Sequence, residues 1–290
     1  MKTAGFKILV PIDFSDQSIA GLRQAAAFSK AANAKIVALH VIREHSSPWN
    51  LFSYEEKSLF IEKTHEKLRL LADLEQVPSE NFSTLIESGK LCDTIIDTAV
   101  EINADCIVMG TSAADNIKKK IIGSNALRIV TEATIPVVTV KLGCECDDFS
   151  NIILPLDLSK ETREKVPLAL RMAKMLGSVI NVVSFVSTSD ALVISYLRRQ
   201  ASIVQEHIEE RGVRCITTIQ KVETSRKEAI QEYLTKNKGL VIVTTHMQPE
   251  IIDIFFGSFA SEVIHSSPGP VMSIVPIGVI KYSSDLPGIQ

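Results

Sequence analysis

The apolar residues of this chain fall into short continuous runs that are separated by amphipathic segments. The runs at residues 8–12 and 36–41 contain no alternating polar positions. Between them, four residues recur at helical spacing on one face: Ile19, Leu22, Ala26 and Ser29. This spacing predicts a helix that Ser15 or Ser18 caps and that ends near Asn33. Strands without polar alternation, when separated by helices, are typical of a parallel sheet covered on both faces.

The same alternation of strands and helices continues along the chain and then starts again. After a polar loop, a long helix is predicted, with one face formed by Phe60, Thr64, Leu68 and Leu71. Further strands of the first half are predicted at 82–87, 106–109 and 137–140, and helices at 92–102 and 124–133. Strands of the second half are predicted at 152–156, 179–186, 215–220, 240–243 and 271–275.

The two halves share a sequence repeat. KILVPIDFS at 7–15 matches NIILPLDLS at 151–159 with an offset of 144 residues. IIGS at 121–124 matches FFGS at 255–258 with an offset of 134, so the second half is shorter in its middle by about ten residues. A repeat of this length predicts two copies of one structural unit. We therefore expect domains at 1–142 and 149–277, followed by a tail at 278–290.

Composition and charge narrow the function classes. The 290 residues can form two domains with a core each, and 46% hydrophobic with 22% charged residues is ordinary globular usage. The formal charge of −3 argues against nucleic acid or an anionic membrane as a partner. Asp13 interrupts the first apolar run too early for a signal peptide or a membrane span, and the five cysteines are an odd number. Both features favour a cytoplasmic protein with free thiols.

Candidate chemistry lies where the predicted strands end. Ligands of a doubly wound sheet bind beyond the carboxyl ends of the strands, where the strand order reverses. In the first half this rule selects Asp13 and Val41, which follow the first and second strands, and the segment 110–125 after the fourth. At its end, Gly-Ser-Asn at 123–125 opens a helix, so backbone N–H groups, a hydroxyl and the helix dipole can converge on an anion. A second interpretation stays open, in which Asp13 only caps a helix and the glycines serve a turn and a helix start.

Other chemistries lack their motifs. The chain contains neither GxxxxGK[ST] nor GxGxxG, which argues against a P-loop kinase and a dinucleotide-binding dehydrogenase. Cys144 and Cys146 have no companion pair, so exposed linker thiols are preferred over a zinc site. Neither a serine nucleophile elbow nor paired carboxylates accompany His246 and His265. We assign no catalytic residue and no metal ligand.

With these motifs, the chain resembles the universal stress protein family in its tandem form. Nucleotide-binding members carry Gly, two residues, Gly, nine residues and then Gly with Ser or Thr, and the corresponding residues here are Gly110, Ala113, Gly123 and Ser124. The resemblance covers Lys7 to Pro276. It implies an α/β fold of two tandem, doubly wound, parallel five-stranded sheets with helices on both faces, Rossmann-like and similar to the adenine nucleotide alpha hydrolases.

The resemblance also implies a ligand and the residues that hold it. The expected ligand is ATP or another adenine nucleotide, with Mg²⁺ accompanying the phosphates. Asp13 and Val41 would border the adenine and ribose, and Gly110 would lie near the ribose. The phosphates would be cradled by Ala113, Gly123, Ser124 and Asn125. Ala113 replaces a glycine of the family pattern, and a Cβ in a left-handed conformation there would cost about 1–2 kcal/mol.

The second half departs further from the pattern. The equivalent positions hold Thr244, Met247, Gly257 and Ser258. A bulky thioether where a phosphate would approach predicts a half that does not bind nucleotide, so we expect at most one site per chain. The alternative function is a scaffold or interaction protein of the same fold that binds no nucleotide. ATP hydrolysis is not expected, because it needs a positioned base and a Mg²⁺ ligand, and only Asp13 and Asp115 are near in sequence.

We expect the two domains of the chain to pair with each other. In the family the last strand often pairs across a two-fold axis, which here implies an intramolecular pseudo-dimer through the strands 137–140 and 271–275. Such pairing would cover edges that otherwise invite aggregation. Apolar residues of the tail, Ile277, Val279 and Ile280, add a homodimer as a second expectation.

Overall fold

The computed structural model describes residues 5–43, 49–111, 123–156, 165–223, 225–245, 263–264 and 266–275. The chain divides into two compact units, Met1–Asp147 and Asp148–Gln290. Each unit contains a parallel sheet of five strands. Across the described ranges, no helix has both the length and the apolar surface needed to cross a membrane.

The first unit alternates strands and helices from its first residues onward. Its elements are β1 (Lys7–Pro11), α1 (Asp16–Ala32), β2 (Lys35–Arg43), α2 (Tyr54–Leu74), β3 (Phe82–Gly89), α3 (Leu91–Glu101), β4 (Cys106–Thr111), α4 (Ser124–Glu132) and β5 (Val137–Lys141). The strand order is β3-β2-β1-β4-β5. The order therefore reverses between β1 and β4, which form a parallel pair.

The second unit repeats this plan. Its elements are β6 (Asn151–Pro155), α5 (Val166–Leu176), β7 (Val179–Val186), α6 (Ala191–Glu209), β8 (Cys215–Lys221), α7 (Arg226–Lys236), β9 (Leu240–Thr244) and β10 (Val271–Ile274). Ile8 pairs with Ile36, and Ile152 pairs with Ile180 at the offset of 144 found in the sequence. The strand order is β8-β7-β6-β9-β10, which is that of the first unit.

The predicted fold class is confirmed. The central strands are buried on both faces, and Ile8, Leu9 and Val10 of β1 have no exposed surface. Every predicted strand is present, and no strand end differs from its prediction by more than two residues. The predictions succeed because continuous apolar runs identify strands that helices cover on both faces.

Two details of the predicted helices are decided by the structure. Ser15, and not Ser18, caps α1: its hydroxyl accepts the backbone N–H of Ser18 at 3.2 Å. In α2, Thr64 and Leu68 are buried as predicted, but Phe60 is 39% exposed. Because the Phe60 ring packs against the ring of Trp49, at 5.5 Å between centroids, it contributes to a surface cluster and not to the core.

Candidate functional site

The reversal of strand order in the first unit brings three chain segments to one edge of the sheet. Asp13 follows β1, Thr111 ends the neighbouring strand β4, and α4 begins at Ser124 on the same edge, because it connects β4 to β5. Such a reversal leaves a crevice beyond the carboxyl ends of the two strands. The predicted site residues Asp13, Gly110 and Ser124 therefore come from the elements that border this crevice.

Asp13 is exposed and held by the start of α1. Ser15 donates its backbone N–H and its hydroxyl to Asp13 Oδ1, at 3.0 and 2.5 Å. Partial burial raises the pKa of the Asp13 carboxyl, but the hydrogen bonds with Ser15 and Ser18 outweigh burial and hold the pKa below its ordinary value. Asp13 is thus an oriented carboxylate at neutral pH. Ser15 is the helix cap, so the interpretation of Asp13 as the cap itself is wrong.

Val41 lies inside β2 and not after it. The strand continues to Arg43 because β3 pairs with it that far. On the other side, the last backbone–backbone hydrogen bond to the β1 segment runs from the Ile12 N–H to the Leu39 carbonyl, at 2.8 Å. Backbone groups of alternate residues point to the same side of a strand. The N–H and C=O of Val41 therefore point past the end of β1, toward the crevice.

Gly110 lies inside β4, in register with Val140, so its interpretation as a strand-end turn is wrong. A Cβ at this position would stand 1.6 Å from the carbonyl oxygen of Gln17. Gly21 faces the same contact from α1, because its Cβ would stand 2.8 Å from the backbone nitrogen of Gly110. The close packing of α1 on β4 therefore requires glycine at 110. This requirement holds whether or not a ribose lies beside it.

The N-terminus of α4 is exposed in the part of the chain that the structure describes. Gly123 is the exposed residue that precedes the helix, and none of the described residues places an atom within 4 Å of a Cβ built on it. Ser124 and Asn125 are exposed, and the first turn contains no acidic residue. The first N–H groups of a helix have no partner within the helix, so an anion can reach them here. Ala113, the fourth predicted phosphate contact, lies outside the described residues.

The second unit carries larger side chains at the corresponding positions. Phe185 stands where the first unit has Val41, and its ring contacts the Tyr233 ring of α7 edge-on, at 5.8 Å between centroids. Thr244 replaces Gly110 and is buried. The sequence analysis missed Phe185, although the repeat offset of 144 identifies it. Met247, Gly257 and Ser258 lie outside the described residues, as do His246 and His265.

The cysteines remain thiols, as predicted. Cys144 and Cys146 are half-buried and not exposed, which corrects their interpretation as exposed linker thiols. The reason is the fully buried Gln24, whose side-chain amide donates to the Cys146 carbonyl and accepts its N–H, each at 2.9 Å. Within the part of the chain that the structure describes, no three side chains of His, Cys, Asp or Glu are grouped to hold a metal ion.

Comparison with known proteins agrees with the geometry. The family model described as the universal stress protein family matches residues 6–141 and 148–274. A universal stress protein of Methanocaldococcus jannaschii is 28% identical over 142 residues, which cover 47% of this chain and 81% of the relative. One from Thermus aquaticus is 29% identical over 135 residues, covering 46% and 97%. Each of these relatives corresponds to about half of the chain, as a single unit would.

Solved structures share the fold of the whole chain. The crystal structure of a universal stress protein from Archaeoglobus fulgidus has a TM-score of 0.71 at 20% identity, and the alignment covers 93% of this chain and 98% of that one. A universal stress protein structure from Pseudomonas aeruginosa has a TM-score of 0.61 at 16% identity, covering 94% of each chain. At these identities the similarity concerns the fold alone.

Proposed function

We propose that this chain, which belongs to the universal stress protein family, binds an adenine nucleotide at its first unit. The observation that carries the proposal is the N-terminus of α4, where no atom of the described residues lies within 4 Å of a Cβ built on Gly123. A glycine that packing does not require fits a position that a ligand occupies. The family includes ATP-binding members, which supports the same assignment.

The crevice offers a partner for each part of the nucleotide. The backbone N–H and C=O of Val41 form a donor and acceptor pair that matches the hydrogen-bonding edge of adenine. The carboxylate of Asp13 can accept the ribose hydroxyls, beside Gly110. The N–H groups at Gly123, Ser124 and Asn125, together with Ala113 in the preceding loop, would hold the phosphates. Mg²⁺ bound to those phosphates would reduce their charge.

We infer that the second unit does not share this activity. The rings of Phe185 and Tyr233 occupy the region beside the position of Val41, and Thr244 adds a side chain where the first unit has none. An aromatic pair of this kind contributes about 0.5–1.5 kcal/mol beyond its burial, so a ligand would have to displace a favourable contact. One nucleotide per chain is the expected stoichiometry.

Isothermal titration of the full chain with ATP tests the proposal. We expect at most one site per chain, and loss of binding in Gly123→Val, whose branched side chain would stand where the phosphates approach. The backbone at Gly123, with φ −50° and ψ 146°, lies within about 10° of the extended region open to valine, so the variant should fold. Gly257→Val, the same change in the second unit, is the matched control and should leave binding intact. Two equal sites would contradict the assignment.

The alternative is a scaffold of the same fold that binds no nucleotide, and the specific observation in its favour is the alanine at position 113. Native mass spectrometry of freshly purified protein separates the two functions. A mass excess that corresponds to ATP or AMP supports the nucleotide-binding function. A mass without ligand, after the protein has been exposed to cellular nucleotides, supports the scaffold.

The remaining expectations also stand as proposals. We infer a cytoplasmic protein, because five cysteines that form no disulfide fit a reducing compartment. We infer the intramolecular pseudo-dimer through the last strand of each unit from the family resemblance, and a homodimer from the apolar residues of the tail. The division at Asp147 and Asp148 is compatible with the domains at 1–142 and 149–277. ATP hydrolysis is not part of the proposed function.

A further inference from the structure

We propose that Phe14 is a positioning residue of the nucleotide site, whose ring holds the Asp13 carboxylate in the orientation that accepts the ribose hydroxyls. The inference rests on the proposed nucleotide binding and adds a residue that acts through Asp13. Phe14 is half-buried, and its φ of 66° lies in the left-handed region. A bulky residue keeps this backbone only where its surroundings fix it.

The left-handed backbone belongs to the turn that orients Asp13. The Ser15 N–H donates to Asp13 Oδ1 at 3.0 Å, so the carboxylate closes an Asx turn with Phe14 at its centre. The Ser15 hydroxyl donates to the same oxygen at 2.5 Å. Because Phe14 connects the acceptor to both donors, its backbone conformation decides whether they meet.

The Phe14 ring is held by two other elements of the first unit. Its centroid lies 5.2 Å from that of the His40 ring of β2, and Lys67 Nζ of α2 stands 4.1 Å from it. A cation at this distance from a ring is attracted by the π-electrons. The His40 ring is itself fixed, because its Nδ1–H donates to the Ile12 carbonyl at 2.8 Å. Contacts with β2 and α2 therefore keep Phe14 in place.

The residue type at position 14 indicates that these contacts matter. Glycine adopts a left-handed backbone without steric cost, so it is the residue that the turn alone would favour. Phenylalanine is less suited to the backbone, but its ring ties the loop after β1 to β2 and α2. The ring therefore restricts the motion of a loop that glycine would leave free, and it restricts Asp13 with it.

The second unit carries different residues at the corresponding positions. At the repeat offset of 144, Leu158 stands where the first unit has Phe14, and Ser184 where it has His40. Ser184 is buried in β7. Neither counterpart has a ring. At these positions, the contact between two rings occurs only in the unit that we propose binds nucleotide.

The experiment compares ATP with 2′,3′-dideoxy-ATP, which lacks both ribose hydroxyls, in titrations of the full chain. The wild type should bind ATP about tenfold more tightly, the discrimination expected from a hydrogen bond to a charged group. Phe14→Gly should reduce the ratio to within about threefold, because the carboxylate is no longer held, although glycine suits the backbone. Phe14→Tyr keeps the ring and should keep the tenfold ratio.

Asn33→Gly is the matched control. Asn33 follows the last residue of α1 and also has a left-handed backbone, with φ 51°. The same change to glycine is thereby made at the other end of the helix that Asp13 and Phe14 precede. This variant should keep the tenfold ratio, since a change of stability alone weakens the binding of both nucleotides equally.

A second measurement reports the orientation of Asp13 without nucleotide. Burial raises the pKa of the Asp13 carboxyl, and the hydrogen bonds with Ser15 and Ser18 bring it below its ordinary value. An NMR titration of Phe14→Gly should therefore show a pKa of Asp13 that is higher than in the wild type, because the bonds from Ser15 are weakened. Asn33→Gly should leave this pKa unchanged.

The outcomes separate this inference from the proposed function. If the wild type binds ATP and dideoxy-ATP equally, or if Phe14→Gly keeps the tenfold ratio, positioning by Phe14 is wrong while nucleotide binding stands. An unchanged pKa of Asp13 in Phe14→Gly, or an equal loss of the ratio in Asn33→Gly, would also contradict it. If the wild type binds neither nucleotide, the proposed function fails, and the positioning role fails with it.

Discussion

At the scale of single residues, two glycines of one motif are explained by different physical causes. Gly110 is enclosed by α1, and its Cβ would stand 1.6 Å from Gln17 O. Gly123 is exposed, and no atom of the described residues lies within 4 Å of the same added carbon. The sequence motif presents both as ligand-binding glycines. The structure shows that packing accounts for the first. Packing against the described residues does not account for the second, which we propose serves a ligand.

The two glycines therefore predict opposite effects of alanine on stability. Gly110→Ala should lower the free energy of unfolding of the first unit by about 2 kcal/mol or more, because the helix must move away from the sheet. Gly123→Ala should change it by less than about 1 kcal/mol, since alanine fits this backbone and the space is free. Urea denaturation of both variants, followed by circular dichroism, measures the difference. Equal losses would contradict the close approach of α1 and β4.

The hydrogen bonds between Ser15 and Asp13 predict a coupling between helix capping and titration. Ser15→Ala should raise the pKa of Asp13 toward the ordinary value of about 3.9 and cost about 1 kcal/mol of stability through the lost cap. Because the folded pKa of Asp13 is lowered, its ionised form stabilises the fold above the unfolded pKa. That contribution is lost as the pH falls through the folded pKa. The variant should therefore lose less stability than the wild type on acidification.

An NMR titration that follows the side-chain carboxyl resonances measures the pKa of Asp13 directly. Ser53→Ala is the matched control, because Ser53 caps α2 and its hydrogen bonds lower the pKa of Glu56. This control should cost a similar free energy and raise the pKa of Glu56 while the pKa of Asp13 stays unchanged. A pKa of Asp13 that is the same in Ser15→Ala and in the wild type would remove Ser15 as the cause of the shift.

At the scale of elements, the sequence predicts the strands and helices that local patterns determine. It does not predict features that depend on contacts with distant elements. Strand β7 was predicted from residue 179 to 186, as the structure has it, because its buried run needs no information from elsewhere. The sequence predicts that β2 ends at residue 41, whereas the structure continues it to Arg43, because pairing with β3 orders its last residues. The requirement for glycine at 110 was not predictable, because it arises from Gln17, which lies far away in the sequence.

The same distinction holds for the candidate site. The helix that opens after Gly123 was predicted and is present as α4. The orientation of the Val41 backbone past the end of β1 needed the sheet register, which no local pattern contains. The contact of Phe185 with Tyr233 joins β7 to α7 and appears only in the folded unit, although the repeat marks Phe185 as the counterpart of Val41.

At the scale of the whole molecule, one fold occurs twice, with different side chains at equivalent positions. The last two strands of each unit pair in parallel, so the described difference between the units lies in side chains. A nucleotide that binds only the first unit stabilises only that unit, by about 2.7 kcal/mol when its concentration is one hundred times the dissociation constant. ATP should therefore stabilise the first unit and leave the stability of the second unit unchanged.

Hydrogen exchange measured by mass spectrometry, with and without ATP, tests whether the nucleotide stabilises only the first unit. Exchange should slow in the segments that border the crevice, at 9–15, 39–43 and 123–128, because the ligand suppresses local opening there. The counterparts in the second unit, at 153–156 and 183–186, should exchange at unchanged rates and serve as the internal control. Gly123→Val should abolish the protection of the first unit. Equal protection of both halves would mean that a ligand can displace Phe185, whereas no protection in either half would favour the scaffold function.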